Sequence, residues 1–212
     1  MQNANVRPEA SAEPIVYVVD DDEEMREALL DLFLIKNKRA SAFSCGSKFF
    51  EEADTSAAGC VVVDLRMPDG TGLDLQDRLI SMGSKLPVIF LTAFADIPTS
   101  VRAMKAGATD FITKPFSNID LLQAVDHAIE MDSKRRTIAA EVTRVRLLAD
   151  TLTPRETDVM LAVVSGLMNK QVAYELGISE MTVKLHRMSV MRKMQSRSLP
   201  DLVRKAEMLQ RD

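Results

Sequence analysis

Two periodicities divide the chain. Ile15-Val16-Tyr17-Val18-Val19, Cys60-Val61-Val62-Val63 and Val88-Ile89-Phe90-Leu91 are unbroken apolar runs, the pattern of strands covered on both faces of a parallel sheet. Ala40 to Ser44 and Phe111 to Thr113 are weaker candidates of the same kind. Between them, apolar residues recur at helical spacing: Met25, Leu29, Leu32 and Phe33; Phe49 and Phe50; Leu73, Leu75 and Leu79; Val101 and Met104. This alternation predicts repeated βα units, hence an α/β doubly wound, five-stranded parallel sheet with helices on both faces. Ligand chemistry in such a sheet gathers at the carboxyl ends of its strands.

From Asn118 the pattern turns helical without interruption, through Leu121, Leu122, Val125 and Ile129 to Ile138, Val142, Val145 and Ala149 or Leu152. The last group is spaced like two heptads, which fits either a dimeric coiled coil or a solvated helical linker. Beyond it, short helical patterns are punctuated by Pro154, Gly166, Gly177 and Pro200. The predicted organisation is a flexible tail over 1–13, an α/β domain over 14–131, a long helical linker over 132–150 and a small all-α domain over 151–212. At 212 residues the chain has room for two unequal domains.

Composition excludes more than it selects. The apolar and charged fractions of 46% and 27% are those of ordinary globular proteins. No apolar run nears the roughly 20 residues of a membrane span, and the first residues lack the apolar core of a secretory signal. Cys45 and Cys60 have no metal-ligand spacing, so free thiols in a reducing cytoplasm are expected. Charge changes the picture further. The segment from Thr151 onward carries ten Lys and Arg against seven Asp and Glu, so it is positive inside a chain whose net charge is −4. Met181 to Pro200 holds Lys184, Arg187, Arg192, Lys193 and Arg197 without one acid, a better pointer to nucleic acid than the total.

Acidic and phosphate-binding residue types stand where the strands end. Asp20, Asp21 and Asp22 follow the first run, Asp64 the third, Thr92 the fourth and Lys114-Pro115 the fifth. A parallel sheet brings all of these to one edge. Crowded carboxylates repel one another, and a hard divalent cation such as Mg²⁺ relieves the repulsion. With a carboxylate nucleophile, a hydroxyl and an ammonium, the set suits phosphoryl transfer. Asp22 and Glu23 have a simpler role open to them, as the cap of the following helix.

Val-Val-Asp-Asp-Asp at 18 to 22, Asp-Leu-Arg-Met-Pro-Asp-Gly-Thr-Gly at 64 to 72, Leu-Thr-Ala at 91 to 93, Ala-Met-Lys-Ala-Gly-Ala at 103 to 108 and Phe-Ile-Thr-Lys-Pro-Phe at 111 to 116 resemble the flavodoxin-like receiver domain of two-component response regulators. The resemblance covers about Pro14 to Met131. It implies that Asp64 accepts a phosphoryl group from a sensor histidine kinase. It further implies that Asp20, Asp21, Asp64 and the backbone carbonyl of Arg66 hold Mg²⁺, Asp20 through water. Thr92 and Phe111 match the switch pair, Lys114 the phosphate-binding lysine, and a cis peptide is implied at Pro115. Arg66 and Phe94, each two residues beyond a site residue, would shield the phosphoryl group from water.

In the all-α segment, Thr153-Pro154-Arg155-Glu156 forms a capping box with proline at the first helical position. A second helix begins near Asn169 and stops at Gly177; a third, capped by Ser179, is the basic one. Helix, glycine turn, helix is the arrangement that sets a recognition helix into the major groove. Leu-Thr-Pro-Arg-Glu, Gly-Leu-Met-Asn-Lys-Gln-Val-Ala, Leu-Gly-Ile-Ser and Thr-Val-Lys-Leu-His-Arg resemble the LuxR-type helix-turn-helix signature. With the receiver, the chain resembles the NarL/FixJ family, on its FixJ-like branch. Lys184 and Arg187 are the candidates for reading bases, and Lys170, Thr182 and Lys193 for contacting phosphates. The resemblance implies a cytoplasmic transcription activator that forms a homodimer on phosphorylation. Its partners would be double-stranded promoter DNA and RNA polymerase, with no membrane.

Two rival readings have distinct requirements. A phosphatase of the haloacid dehalogenase type would place a second Asp two residues after the nucleophile, where this chain has Arg66. A DNA-binding protein with an unphosphorylated receiver scaffold has no need of the full set Asp20, Asp21, Asp64, Thr92 and Lys114. The chain is therefore read as a regulator and not an enzyme.

Overall fold

The computed structural model describes residues 13–93 and 97–210. The expected N-terminal tail, apart from Glu13, and Phe94 lie outside the described residues. Contacts divide the chain into two compact units, Met1–Arg135 and Arg136–Asp212.

The first unit alternates strands and helices: β1 (Ile15–Val19), α1 (Glu23–Ile35), β2 (Arg39–Phe43), α2 (Gly46–Glu52), β3 (Gly59–Asp64), β4 (Arg66–Met67), β5 (Gly70–Thr71), α3 (Gly72–Ser81), β6 (Val88–Thr92), α4 (Ile97–Lys105) and β7 (Asp110–Thr113), followed by α5 (Asn118–Ala149). Five strands form one parallel sheet in the order β2-β1-β3-β6-β7. The apolar runs are continuous because both faces of the sheet are covered. Tyr17, Val19, Val61, Val63 and Phe90 enter one core with Phe49 and Leu79. Val16, Val18, Val62, Ile89 and Leu91 enter the other with Leu29, Phe33, Leu121 and Val125. Each fully buried side chain of this size contributes roughly 1.5–3 kcal/mol. The two-residue hairpin β4-β5 was not legible, because strands that short carry no periodicity.

The opposite, amino edge of the sheet is closed by a tight approach. Gly59 has φ +147°, and a Cβ there would lie 1.8 Å from the carbonyl oxygen of Ile15. Its N–H donates to the buried carboxylate of Asp132 on α5, at 3.1 Å. Cys60, next in the strand, is a free thiol whose pKa burial pushes up to about 12.

The second unit contains α6 (Pro154–Val164), α7 (Asn169–Leu176), α8 (Glu180–Lys193) and α9 (Leu199–Leu209). The predicted capping box is present. Thr153 Oγ1 accepts from the Glu156 N–H at 3.3 Å, and Glu156 Oε2 accepts from the Thr153 N–H at 2.7 Å. Helix α7 stops at Gly177, φ 63°, and Ser179 caps α8 by accepting from the Thr182 N–H. One expectation for the linker changes. Val145, placed by spacing in a heptad seam, is fully buried in this unit's own core with Val159, Val163, Val190 and Leu202. Ile138 stays exposed. The heptad-like stripe therefore runs from the exposed Ile138 into a core face at Val145 on the same helix. No described helix is long and apolar enough to cross a membrane.

Candidate functional sites

The strand register of the first unit builds an acidic pocket at the carboxyl edge of the sheet. Val19 pairs with Val63, so Asp20 stands beside Asp64; Asp64 pairs with Leu91, so Thr92 follows next door. Thr92 in turn pairs with Thr113, which presents Lys114. Oxygens of Asp20, Asp21 and Asp64 lie within 4.8 Å of one another. The Lys114 ammonium sits 2.7 Å from Asp20 Oδ2 and 3.7 Å from Asp64 Oδ2. One ammonium is therefore shared by two carboxylates of the cluster. Burial raises the Asp64 pKa above the ordinary value, Lys114 pulls it down, and Asp20 pushes it up. Asp20 is almost fully buried while Asp21 is exposed, so the pocket has a closed wall and an open one.

Around it, Thr92 is buried and Phe111 half-buried, its ring centroid 6.1 Å from that of Phe90. Arg66 lies in β4 with an exposed side chain. The Lys114-Pro115 peptide is cis, as the resemblance implied. Asp22 takes the simpler of its two roles and caps α1, accepting from the Met25 N–H.

In the second unit, α8 buries Val183 and Val190 and turns the opposite face outward. Lys184 is exposed on that face, and Lys170 on α7 is exposed as well. Thr182 is half-buried, its hydroxyl 2.8 Å from that of Ser179.

Comparison with known proteins matches these two units separately. Residues 16–126 match the response regulator receiver domain, and residues 150–206 match the bacterial regulatory proteins of the luxR family. Nodulation protein W of Bradyrhizobium diazoefficiens is 46% identical over 201 residues, covering 95% of this chain and 88% of that protein. The transcriptional regulatory protein FixJ of Rhizobium meliloti is 39% identical over 191 residues, covering 90% and 94%. Among solved structures, the response regulator StyR superposes with a TM-score of 0.83 at 42% identity, covering 92% of this chain and 99% of that one. The chain belongs to the response regulators. It is of the NarL/FixJ family, on the FixJ-like branch, and is thus a DNA-binding transcriptional regulator of a two-component system.

In this response regulator the receiver residues named from sequence converge, whereas those named for DNA do not all face outward. Lys193 was expected to contact phosphate. Its ammonium instead bonds Glu156 Oε2 at 2.6 Å and the Thr151 carbonyl at 2.9 Å, which ties α8 to the start of α6. Arg187 was expected to read a base. It is half-buried, and its Nη1 donates to Asn169 Oδ1 at 2.6 Å, tying α8 to α7. Both side chains are thus engaged within the domain, Arg187 between α8 and α7 and Lys193 between α8 and α6.

Two residues of this response regulator escaped the sequence reading. Arg26 Nη1 donates to the carbonyls of Asp20 and Asp21, both at 2.9 Å, and so pins the backbone that carries the acidic pair. Its position one turn into the acid-capped helix is the only signal it left. Lys205 is buried, and its ammonium donates to the carbonyls of Met194 and Gln195 and to Asp201, closing the carboxyl end of α8.

Proposed function

We propose that Asp64 is the phosphoacceptor, that a sensor histidine kinase is the donor, and that phosphorylation promotes dimerisation and promoter binding. The observation that carries this reading is the Lys114 ammonium shared between Asp20 and Asp64 within a cluster of three carboxylates. The donor set fits a magnesium ion. All its side-chain ligands are hard carboxylate oxygens, the pocket has surplus negative charge, and its exposed Asp21 wall leaves room for water ligands. Asp20, Asp21, Asp64 and the Arg66 carbonyl would hold the ion, which when bound neutralises charge on the phosphoryl oxygens.

The chain's own groups do the rest. An ionised Asp64 oxygen forms the new O–P bond as the P–N bond to the donor histidine breaks, and the imidazole nitrogen keeps the electron pair. Lys114 offers its positive charge to the incoming phosphoryl group, and the Thr92 hydroxyl offers a hydrogen bond. Drawing Thr92 inward vacates space that lets the half-buried Phe111 ring pack deeper. Val101 and Met104 on α4 are exposed nearby in the fold, and an apolar face of that kind suits pairing with a second phosphorylated copy. The dimer would then present two α8 helices to neighbouring half-sites of promoter DNA, with Lys184 reading bases and Lys170 and Thr182 touching phosphates. Membership of the FixJ-like branch supports activation through RNA polymerase, and a cytoplasmic location accords with both partners.

The test is magnesium-dependent labelling by a small phosphodonor, with the modified residue located by mass spectrometry. Label on Asp64 is expected, together with a sedimentation shift to dimer. Label elsewhere, or none, would refute the assignment.

A further inference from the structure

The exposed face of α8 carries an apolar stripe between charged residues. Met181, Leu185 and Met188 are 67%, 59% and 69% exposed. Their spacing of four and three residues puts them on one stripe with Lys184 and Arg192, opposite the buried Val183 and Val190. Single exposed apolar residues are ordinary on a protein surface, but a continuous stripe on a helix is not. The stripe is bordered by cations, and the whole segment from Met181 to Pro200 contains no acid. That charge pattern favours a polyanion over a second copy of this acidic chain.

We infer that α8 reads thymine methyl groups in the major groove through Met181, Leu185 and Met188. This rests on the DNA-binding assignment and adds to it the chemical identity of the bases. Thioether and isobutyl side chains offer no hydrogen bond to a base edge, and the one apolar group displayed in the major groove is the thymine C5-methyl. Set against a G·C pair, the same side chains find no methyl group, so nothing offsets the cost of covering the polar base edges. The stripe therefore selects A·T pairs at the positions it covers. Lys184, on the edge of the stripe, is left to bond an acceptor on a flanking pair. Arg187, the other residue expected to supply polar readout, is held by Asn169, which strengthens the apolar character of the reading surface.

The experiment uses the full chain treated with phosphodonor and a pool of duplexes with randomised sequence. The enriched duplex is then remade with deoxyuridine in place of thymidine, which deletes only the methyl groups. Enrichment of thymine within each half-site is expected, with an affinity loss of about fourfold for each contacted methyl removed. Met181→Ala, Leu185→Ala and Met188→Ala combined should erase most of the thymine-to-uracil difference while leaving the salt dependence of binding intact. Equal affinity for thymine and uracil duplexes would overturn the inference while leaving DNA binding standing, as would undiminished discrimination in the triple variant. Failure to enrich any duplex would instead overturn the DNA-binding assignment, and this inference with it.

Discussion

The receiver and the helical domain each gather charged side chains in a protected place, and they treat them in opposite ways. In the helical domain Glu156 meets Lys193 one to one, with the Thr153 N–H and the Ser189 hydroxyl completing its partners. These bonds, led by that to Lys193, lower the Glu156 pKa to about 2. In the receiver, one ammonium is shared by Asp20 and Asp64, and burial moves Asp64 upward instead. The direction of the shift separates the two purposes. A carboxylate made comfortable by its partners holds helices together; one left uncomfortable awaits something the chain does not itself contain.

That contrast can be broken most decisively at Asp64. Asp64→Asn should abolish labelling by phosphodonor and, because it removes a charge that burial disfavours, should raise rather than lower the melting temperature of the receiver. The sign follows from linkage. A folded-state pKa above the unfolded value contributes stability at low pH that is lost as pH rises through the folded pKa. A fall in melting temperature for this variant would mean that the charge is supported after all.

Glu156→Ala comes next, with an expected loss of about 2–3 kcal/mol from the capping box and the lost bond to Lys193, which keeps the Thr151 carbonyl. Here the linkage runs the other way. The contribution of Glu156 is complete above its unfolded pKa near 4.5 and is lost as pH falls toward about 2. Amide exchange of α8 in the full chain should show that acid window in wild type and lack it in Glu156→Gln. Lys205→Met should cost about 2 kcal/mol and loosen the last turn of α8 in the same measurement, because the Met194 and Gln195 carbonyls lose their donor. The smallest effect belongs to Lys184→Ala, which should weaken promoter binding by about 1 kcal/mol or somewhat more, with the fold unchanged. If Lys193→Ala reduced DNA affinity without changing stability, the distinction between tying and contacting lysines would fail.

What was legible from sequence followed a pattern. The sheet was readable because strands buried on both faces admit almost nothing but apolar residues, and its edge was readable because parallel strands end together. Arg26 and the hairpin β4-β5 were not, since a bond to a backbone carbonyl or a two-residue strand constrains no neighbouring residue type. In the helical domain the caps at Thr153, Gly177 and Ser179 were local and could be read. Which way Arg187 and Lys193 point was decided by other helices, and Lys205 by the end of the preceding one. A basic run reports charge, not direction. The exposed Met181, Leu185 and Met188 were hidden in the same way, because helical spacing alone does not say which of two apolar stripes is the core.

Gly59 carries a lesson for anyone who surveys variants of this protein by selection. It lies outside the acidic pocket, yet any side chain there would collide with the Ile15 carbonyl and disturb the amide held by Asp132. A saturation library scored on promoter output should therefore show position 59 as intolerant as Asp64. The two would part only in an assay of soluble yield, where substitutions of Asp64 survive and those of Gly59 disappear.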